Sequence, residues 1–558
     1  MYASQRASQR ASQRASQRAS QRASQRASQR ASQRAKISAP RFQKVEKIRV
    51  ASDMNASTQW IVQNPSDFID GQWSSIAGDE IQSKNPANPA QVVWSGTPDP
   101  GHVDGAVAAA RAAFTSWRQL SQGERAEHLR AFSAACKKFA EPLAQAITME
   151  MGKTIAESRG EVKLLSDKID ITLQESTLAR VSNFEVDAGG GRKGFCRFQP
   201  YGVMAVLGPF NFPAHLPNGH WVPSLLMGNT IVFKPSEKTP AAGQWIAAIA
   251  QAAGFPRGVF NVVQGGVEIA KRLTNHADID GVMLTGSWRA GRAVLEANLD
   301  RPGRIVALEM GGSNPAIVWQ DADIRAAVLE CVRSAYATTG QRCTCTRRMI
   351  VHRSVADQFV TAFTKVASTM IIAPGNAPEP NFMGPLVDQH AVDAYFNRQT
   401  SIRNNGGRVL LEGVHMDQAG FFVTPSLIEV ARFEKANDME TFAPLAQVSV
   451  ADELQDAIDQ ANATEFGLAG AVFTNSQMTW RECLRGLRAG CVNWNNGTAG
   501  ASSKLPFGGV GRSGNLRPAG SFALDSTVFP VASMEVAAQE AAATSVANGL
   551  RADAKWFE

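Results

Sequence analysis

The chain has 558 residues, of which 44% are hydrophobic and 19% are charged, and its formal net charge is +7. A single compact core usually stops growing near ~250–300 residues, so this length predicts at least two domains. The composition is that of an ordinary globular protein and excludes a fibrous or wholly disordered chain.

The positive charge is concentrated at the N-terminus. Residues 3–34 are eight copies of Ala-Ser-Gln-Arg, and residues 1–49 carry a net charge of +12, which leaves −5 on the other 509 residues. Such a repeat cannot bury a core, which predicts a disordered leader over 1–53. The leader could contact nucleic acid, could be an organelle transit peptide, or could be a repeat without function that precedes a start at Met54. We favour the last, because a transit peptide needs an apolar helix face.

Seven cysteines in so long a chain do not form a disulfide framework, which favours reduced thiols in a cytoplasmic protein. We find no signal peptide and no apolar run near the ~18 residues of a membrane span. The acidic body gives no reason to expect a nucleic-acid partner, and we expect no membrane partner.

Periodicity predicts the elements in chain order. Apolar residues between His102 and Leu120 recur in steps of four and three, which predicts an amphipathic helix. The stretch Val181–Pro200 alternates around three glycines and predicts a hairpin, an excursion that often serves oligomerisation. Short apolar runs then alternate with helix-length segments, which predicts a parallel sheet with crossovers. These runs are Val203–Leu207, Thr230–Phe233, Phe260–Val263, Val282–Leu284 and Ile305–Leu308.

A second series of the same kind follows Gly312, with strands at Ala316–Trp319 and Met349–Val351 around a helix near Ala326–Ala337. We therefore predict an α/β fold with two parallel-sheet domains. The first domain would comprise 54–180 and 200–308, and the second would comprise 309–518. A small oligomerisation element would join 181–199 to 519–535, and 536–558 would be a C-terminal tail.

Several short motifs do not fit their templates. Residues 509–514 match G-x-G-x-x-G but lack the flanking strand and helix, so we interpret them as a loop. Residues 152–154 resemble the end of a P-loop, but Ile147 stands where its first glycine belongs. His215 and His220 lack zinc-helix spacing, and residues 343–345 have no second cysteine pair. We predict no metal site.

Four other segments carry reactive or binding groups. Cys343 follows a helix-length segment and is a candidate nucleophile, for which a free thiol of pKa ~8.5 needs a site that favours thiolate. Glu309 ends a predicted strand and is a candidate general base. Asn211 lies in a proline-flanked turn and could donate to an oxyanion. Lys234 and Glu237 follow a strand where open α/β sheets bind nucleotides. Each segment alone has an ordinary alternative: a core thiol, a solvated carboxylate or a turn residue.

Together and in this order, the segments resemble the aldehyde dehydrogenase family over about Phe68 to Ala532. The interval from Glu309 to Cys343 is 34 residues, as in that family. Residues 440–442 resemble its segment that binds the nicotinamide ribose, residues 284–287 resemble its turn at the pyrophosphate, and residues 505–509 also match. Two positions depart from the family pattern, since Ala443 stands where glycine is usual and Phe210 where many members have tryptophan.

The resemblance implies a reaction and a cofactor. Cys343 would attack an aldehyde, Asn211 and the Cys343 backbone N–H would stabilise the oxyanion, and Glu309 would activate water to hydrolyse a thioester. The first domain would bind the cofactor and the second would be catalytic. Glu237 would hydrogen-bond the adenosine ribose and repel a 2′-phosphate, which favours NAD over NADP. The implied cofactor contacts are Lys234, Glu237, Gly286, Ser287, Gly291, Glu440 and Phe442.

Within the family, residues 211–220, 340–345 and 513–518 resemble the branch that oxidises N-succinylglutamate 5-semialdehyde in bacterial arginine catabolism. That substrate carries two carboxylates, so Arg517 and Arg342 are candidate substrate contacts, with surface arginines as the alternative. Another substrate, such as succinate semialdehyde, stays open, as does a catalytically silent binding protein, which the presence of all three catalytic residues disfavours. Cys345 is either a structural thiol or a resolving thiol for Cys343. The resemblance and the hairpin suggest a homodimer or homotetramer.

Overall fold

The structure is a computed structural model, and it describes residues 64–189, 192–536 and 546–557. The predicted leader over 1–53 and the proposed start at Met54 lie outside the described residues, as does part of the predicted tail. All of the described residues belong to one compact unit.

The helices account for most of the crossovers between strands. They are α1 Pro100–Trp117, α2 Gln122–Lys138, α3 Ala140–Met151, α4 Ile155–Thr172, α5 Glu175–Leu178, α6 His215–Leu226, α7 Pro240–Ala253, α8 Val267–Asn275, α9 Trp288–Glu296, α10 Ile324–Tyr336, α11 Arg353–Ser368, α12 Gln389–Asn404, α13 Leu454–Asn462 and α14 Gln477–Gly486.

The strands fall into two large sheets and three small ones. They are β1 Ser66–Ile69, β2 Gln72–Ser75, β3 Ile81–Asn85, β4 Asn88–Gly96, β5 Phe184–Asp187, β6 Lys193–Pro200, β7 Val203–Leu207, β8 Thr230–Lys234, β9 Phe260–Val262, β10 Gly281–Thr285, β11 Ile305–Glu309, β12 Asn314–Val318, β13 Thr346–His352, β14 Arg408–Leu411, β15 Ser426–Glu429, β16 Leu445–Ala451, β17 Ala469–Phe473, β18 Cys491–Trp494, β19 Pro506–Phe507, β20 Ala519–Gly520 and β21 Val528–Glu535.

The first large sheet has the order β11-β10-β7-β8-β9-β1-β2, and its five strands from β7 to β11 run parallel. Strands β7, β8 and β10 are buried along their whole length, which explains why they read as continuous apolar runs. The chain moves outward from β7 to β9 and then returns to the other side of β7 with β10. The sheet therefore has a topological switch point between β7 and β10, where open α/β sheets place their ligands.

The second large sheet has the order β14-β15-β16-β13-β12-β17-β18, and only its edge strand β14 runs antiparallel. Helices cover both large sheets and bury separate apolar cores against them. The predicted class, an α/β fold with two parallel-sheet domains, is thus confirmed. The boundaries proposed for these domains stay predictions.

A small third sheet joins two distant parts of the chain. Strands β5 and β6 form the predicted hairpin, whose turn residues 190 and 191 lie outside the described part, and β21 pairs antiparallel with β6 from Val528 to Glu535. Several large apolar side chains of this sheet are exposed: Phe184, Val186, Phe529, Val531 and Met534. An oligomerisation role for this sheet stays a prediction.

Two other local predictions, a helix and a loop, are also confirmed. Helix α1 buries the expected apolar positions, including Val103, Val107, Phe114 and Trp117. Residues 509–514 form a loop with one 3₁₀ turn at Gly511–Ser513 rather than a dinucleotide-binding strand and helix. No helix among the described residues is long and apolar enough to cross a bilayer.

Candidate active site

A cavity of about 490 Å³ lies at the carboxyl ends of the first sheet. The last residues of four parallel strands line it: Leu207, Lys234, Thr285 and Glu309. The second domain adds Cys343, Glu440 and Phe442, so both domains build the cavity. A pocket of this volume is the right size for a small organic ligand or part of a cofactor.

The fold brings nearly all predicted site residues to this one cavity. Gly291 is the exception among the implied cofactor contacts, because it packs beneath the cavity, where a Cβ would lie 2.2 Å from Met310 Sδ. The predicted residues that line the cavity are Asn211, Lys234, Glu237, Gly286, Ser287, Glu309, Cys343, Glu440 and Phe442.

Cys343 follows a sharp change of chain direction after α10. Thr338, Thr339 and Gly340 all have positive φ, of 55°, 57° and 67°, a conformation that costs energy for a β-branched residue. A Cβ on Gly340 would lie 2.2 Å from the Ala443 carbonyl oxygen, so only glycine fits there. This strained turn places the thiol at the cavity.

Two carboxylates lie near the Cys343 thiol. Burial raises the pKa of Cys343 far above its ordinary value, and the nearby Glu440 and Glu309 carboxylates raise it further. A nucleophilic role for Cys343 predicts surroundings that favour the thiolate, whereas the groups around it have the opposite effect. These surroundings therefore disfavour the thiolate, which is the form that attacks an aldehyde.

Asn211 lies in the turn after β7 and is buried. Its side-chain Nδ2 donates to the backbone carbonyl of Gln341 at 2.9 Å, two residues before Cys343. Because an amide nitrogen carries two hydrogens, the second N–H is available to an oxyanion on a bound substrate.

Glu309 ends β11 as a buried carboxyl. Its Oε1 accepts from the backbone N–H of Ala519 at 3.2 Å, whereas Oε2 has no hydrogen-bond partner among the described residues. Burial raises the pKa of Glu309 well above its ordinary value. A raised pKa and an unpaired oxygen are the properties of a general base that works on water.

Glu440 and Phe442 reach the cavity from the second domain. Glu440 Oε1 accepts from the Gly312 backbone N–H at 3.1 Å, and burial raises the pKa of Glu440 to about 7 although Arg347 opposes the rise. The Phe442 ring meets Phe210 edge to face with the ring centres 5.8 Å apart. Phe210, which stands where many members of the family have tryptophan, thus packs against Phe442 at the cavity wall.

The remaining lining fits a nucleotide. Lys234 is buried, with a pKa lowered to about 8 by burial, and lies 3.8 Å from the Glu237 carboxylate. Glu237 stays partly exposed, so its carboxylate can accept hydrogen bonds from a sugar. Ser287 caps the N-terminus of α9, where backbone N–H groups and the helix dipole favour phosphate. Small apolar residues of α8, of α9 and of the position just after α9 line the cavity beyond it: Ala270, Ala290, Ala293 and Ala297.

The two predicted substrate arginines lie elsewhere. Arg342 does not line the cavity, because its Nη2 donates to Glu157 Oε1 at 2.8 Å and its Nε donates to Thr338 Oγ1 at 2.7 Å. Arg517 is exposed and lines a second cavity of about 300 Å³, which Glu309 also lines. The structure therefore favours Arg517 over Arg342 as a contact for a substrate carboxylate.

Sequence reasoning missed a buried ion pair beside the site. Lys153 and Glu161 pair with no exposed side-chain area, and Lys153 Nζ also donates to the Asn211 backbone carbonyl at 2.9 Å. The available signal was a glutamate within the apolar row of α4, one turn before Leu165. His220 is buried and His215 is partly buried, desolvation lowers the pKa of each to about 4, and no cluster that could hold a metal occurs in the described part of the chain.

The switch point of the first sheet thus holds a cavity lined by a cysteine, a buried carboxyl and a buried amide, an arrangement suited to an enzyme active site. The profile of the Aldehyde dehydrogenase family matches residues 73–528, and the chain belongs to this family. The family that the sequence resembles is thus confirmed, and the protein is an enzyme of the aldehyde dehydrogenase class.

Within the family, the chain is similar to several relatives whose names give their substrate. The chain is 41% identical over 479 residues to N-succinylglutamate 5-semialdehyde dehydrogenase of Novosphingobium aromaticivorans, covering 86% of this chain and 100% of that protein. It is 42% identical over 474 residues to N-succinylglutamate 5-semialdehyde dehydrogenase 2 of Caulobacter vibrioides, covering 84% and 96% of the two chains.

Solved structures agree in fold. An Escherichia coli protein described as an NADP-dependent enzyme superposes with a TM-score of 0.81 at 29% identity, covering 87% of this chain and 99% of that one. An indole-3-acetaldehyde dehydrogenase solved with NAD⁺ superposes with a TM-score of 0.80 at 28% identity, covering 86% and 99%.

Proposed function

We propose that this enzyme oxidises N-succinyl-L-glutamate 5-semialdehyde to N-succinyl-L-glutamate with NAD, as a step of arginine catabolism. The observation that carries the proposal is the convergence of Cys343, Glu309 and Asn211 at the cavity of about 490 Å³. The named relatives, at about 40% identity over nearly their whole length, support the choice of substrate.

Cys343 is the residue that forms a bond to the aldehyde. Its sulfur, once deprotonated, bonds to the aldehyde carbon while the carbonyl π electrons move to oxygen, which gives a thiohemiacetal. Asn211 Nδ2 and the Cys343 backbone N–H stabilise that oxyanion, an effect of about 3 kcal/mol per donor in comparable sites. The nicotinamide ring, when bound, supplies the acceptor for the hydride that leaves this carbon.

Hydrolysis of the resulting thioester belongs to Glu309. The carboxylate takes a proton from water, the water oxygen bonds to the acyl carbon, and the carbon–sulfur bond breaks to release the carboxylic acid and Cys343 as the thiolate. The unpaired Oε2 is the atom that would accept the proton. Only the deprotonated carboxylate can do this, so the raised pKa of Glu309 makes the step depend on pH.

Cofactor choice rests on Glu237. A carboxylate at this end of the cavity accepts hydrogen bonds from ribose hydroxyls and repels a 2′-phosphate, which favours NAD. Lys234 lies 3.8 Å away and offsets part of that charge. Lys234, Glu237, Ser287, Glu440 and Phe442 are the side chains that would hold the dinucleotide.

Two further features complete the proposal. Arg517 would bind a substrate carboxylate, since a guanidinium suits a bidentate contact.

The exposed apolar face of the β5-β6-β21 sheet would join copies of the chain into a homodimer or homotetramer in the cytoplasm, because large apolar patches mark interfaces.

The test is NAD reduction measured with a panel of aldehydes. We expect the highest kcat/KM with N-succinylglutamate 5-semialdehyde, above succinate semialdehyde, lactaldehyde and a neutral aldehyde of similar length. A higher kcat/KM with succinate semialdehyde would transfer the proposal to that substrate. No oxidation of any aldehyde, with folded protein and bound NAD, would refute it.

A further inference from the structure

Two glutamates of helix α4, which the chemistry above does not use, lie beside the loops that carry the reacting groups. Glu157 and Glu161 are four residues apart, so they lie one above the other on the same face. Neither lines the active-site cavity. Their hydrogen bonds reach the two loops that carry the reacting groups.

Glu161 holds the turn that carries Asn211. Its Oε1 accepts from the backbone N–H groups of Ala214 and His215 at 2.9 and 3.0 Å, and its Oε2 accepts from Lys153. Lys153 in turn donates to the Asn211 carbonyl at 2.9 Å. The buried ion pair therefore contacts the turn near its beginning and at its end, and fixes the backbone of the oxyanion donor.

Glu157 holds the turn that leads to Cys343. Its Oε1 accepts from Thr338 Oγ1 at 2.7 Å and from Arg342 Nη2 at 2.8 Å, and Arg342 Nε also donates to Thr338 Oγ1 at 2.7 Å. Thr338 is one of the residues with strained positive φ. Strained backbone persists only where its surroundings hold it in place, and Glu157 provides part of that support.

We infer that Glu157 and Glu161 are positioning residues. Through them, α4 holds the Cys343 thiol and the Asn211 amide in place, so that the thiol can attack the carbonyl carbon whose oxygen the amide stabilises. The inference rests on the proposed roles of Cys343 and Asn211 and adds residues remote from the cavity. A shift of about 1 Å between reacting groups can cost a hundredfold in rate, so loss of either carboxylate acts on kcat.

The first test uses substitutions that keep side-chain size. In Glu157→Gln we expect kcat to fall at least tenfold, while KM for aldehyde and NAD changes less than threefold. Thr338→Val removes the hydroxyl that donates to Glu157 and should lower kcat by a similar factor. Thr338→Ser keeps the hydroxyl and should retain most of the wild-type kcat. The Glu157→Gln and Thr338→Val losses should not add in the double variant, because both break one contact.

Asp170→Asn is the matched control, since it is an exposed carboxylate on the same helix, and it should change kcat less than twofold. Glu161→Gln leaves Lys153 without a buried counter-charge and can prevent folding. For that reason the test uses variants of Glu157 and Thr338 rather than of Glu161. Cooperative thermal unfolding of each variant shows that it is folded.

A second measurement separates this inference from the proposed substrate. Acylation by p-nitrophenyl acetate needs the thiol and the oxyanion donor but neither NAD nor an aldehyde, and it should slow at least tenfold in Glu157→Gln and Thr338→Val. If these folded variants keep wild-type acylation rates and kcat, the positioning role is wrong. If the wild type acylates but does not oxidise N-succinylglutamate 5-semialdehyde, only the substrate proposal fails. A wild type whose Cys343 does not acylate refutes both.

Discussion

Glu309 Oε1 accepts a hydrogen bond from the backbone N–H of Ala519 at 3.2 Å, which ties the candidate base to the segment that follows the 509–514 loop. Ala519 begins the short strand β20, so this strand holds one oxygen of the carboxyl, and the other oxygen has no hydrogen-bond partner within the described residues. The base is therefore fixed in direction before any water reaches it.

Glu309→Gln should separate the two halves of the reaction. The amide keeps the contact to Ala519 but cannot take a proton, so we expect one burst of NADH per active site followed by turnover slowed about 10²- to 10⁴-fold. Rapid-mixing measurement of NADH would show the burst. In the wild type the hydrolysis rate should fall as pH drops through the raised pKa of Glu309. An unchanged steady-state rate in Glu309→Gln would remove the base assignment.

Cys343→Ser should abolish dehydrogenase activity, because a serine hydroxyl in these acidic surroundings is a far weaker nucleophile than a thiolate. NAD binding, followed by fluorescence titration, should persist, which shows that the site is intact. Cys345→Ser is the control for the neighbouring thiol, and it should retain most of the activity if Cys345 is structural. Activity in Cys343→Ser comparable with the wild type would contradict the mechanism.

Glu440→Gln should make the Cys343 thiol more reactive in the protein without cofactor. Removal of a negative charge lowers the pKa of Cys343, so alkylation by iodoacetamide at pH 8 should speed up roughly three- to tenfold, which corresponds to about 1 kcal/mol of Coulomb energy. Because the pKa of Glu440 is about 7, the difference from wild type should shrink below pH 6, where both side chains are neutral. Equal alkylation rates at pH 8 would show that Glu440 does not act on the thiol.

Glu237→Gln should weaken the preference for NAD. The amide still hydrogen-bonds to ribose but no longer repels a 2′-phosphate, while Lys234 remains nearby to attract it. We expect kcat/KM for NADP to rise about three- to tenfold, a modest effect because the carboxylate is partly exposed to solvent. Steady-state kinetics with both cofactors measures this, with Asp170→Asn as the control. If the ratio of kcat/KM with NADP to kcat/KM with NAD is unchanged in Glu237→Gln, another group selects the cofactor.

Arg517→Met should raise KM for N-succinylglutamate 5-semialdehyde about ten- to a hundredfold, as expected for a lost charge-assisted contact. KM for a neutral aldehyde should not change, and Arg481→Met, at an exposed arginine of α14, should change neither constant. In contrast, Arg342→Met should lower kcat, because Arg342 is paired with Glu157. A KM effect from Arg342→Met alone would reverse the preference between the two arginines.

Local patterns in the sequence were enough to predict much of the fold. The buried parallel strands appear as apolar runs, and β7 has the bounds expected from them, Val203–Leu207. The alternation over Val181–Pro200 predicted the hairpin correctly, because side-chain period and turn chemistry act between neighbouring residues. The ordered motifs around Asn211, Glu309 and Cys343 indicated the family, which the profile match confirms.

Tertiary structure decided what surrounds those motifs. Arg342 pairs with Glu157, 185 residues earlier in the chain, and the Cys343 thiol lies near Glu440, which no local pattern reveals. Lys153, discarded as part of an incomplete P-loop, holds the Asn211 turn from 58 residues away. The charge, burial and pairing of the site residues depend on groups that only the folded chain brings together. The sequence by itself therefore determined the helices, the strands and the family. The tertiary structure decided the electrostatics of the candidate catalytic residues and the contacts that hold them in place.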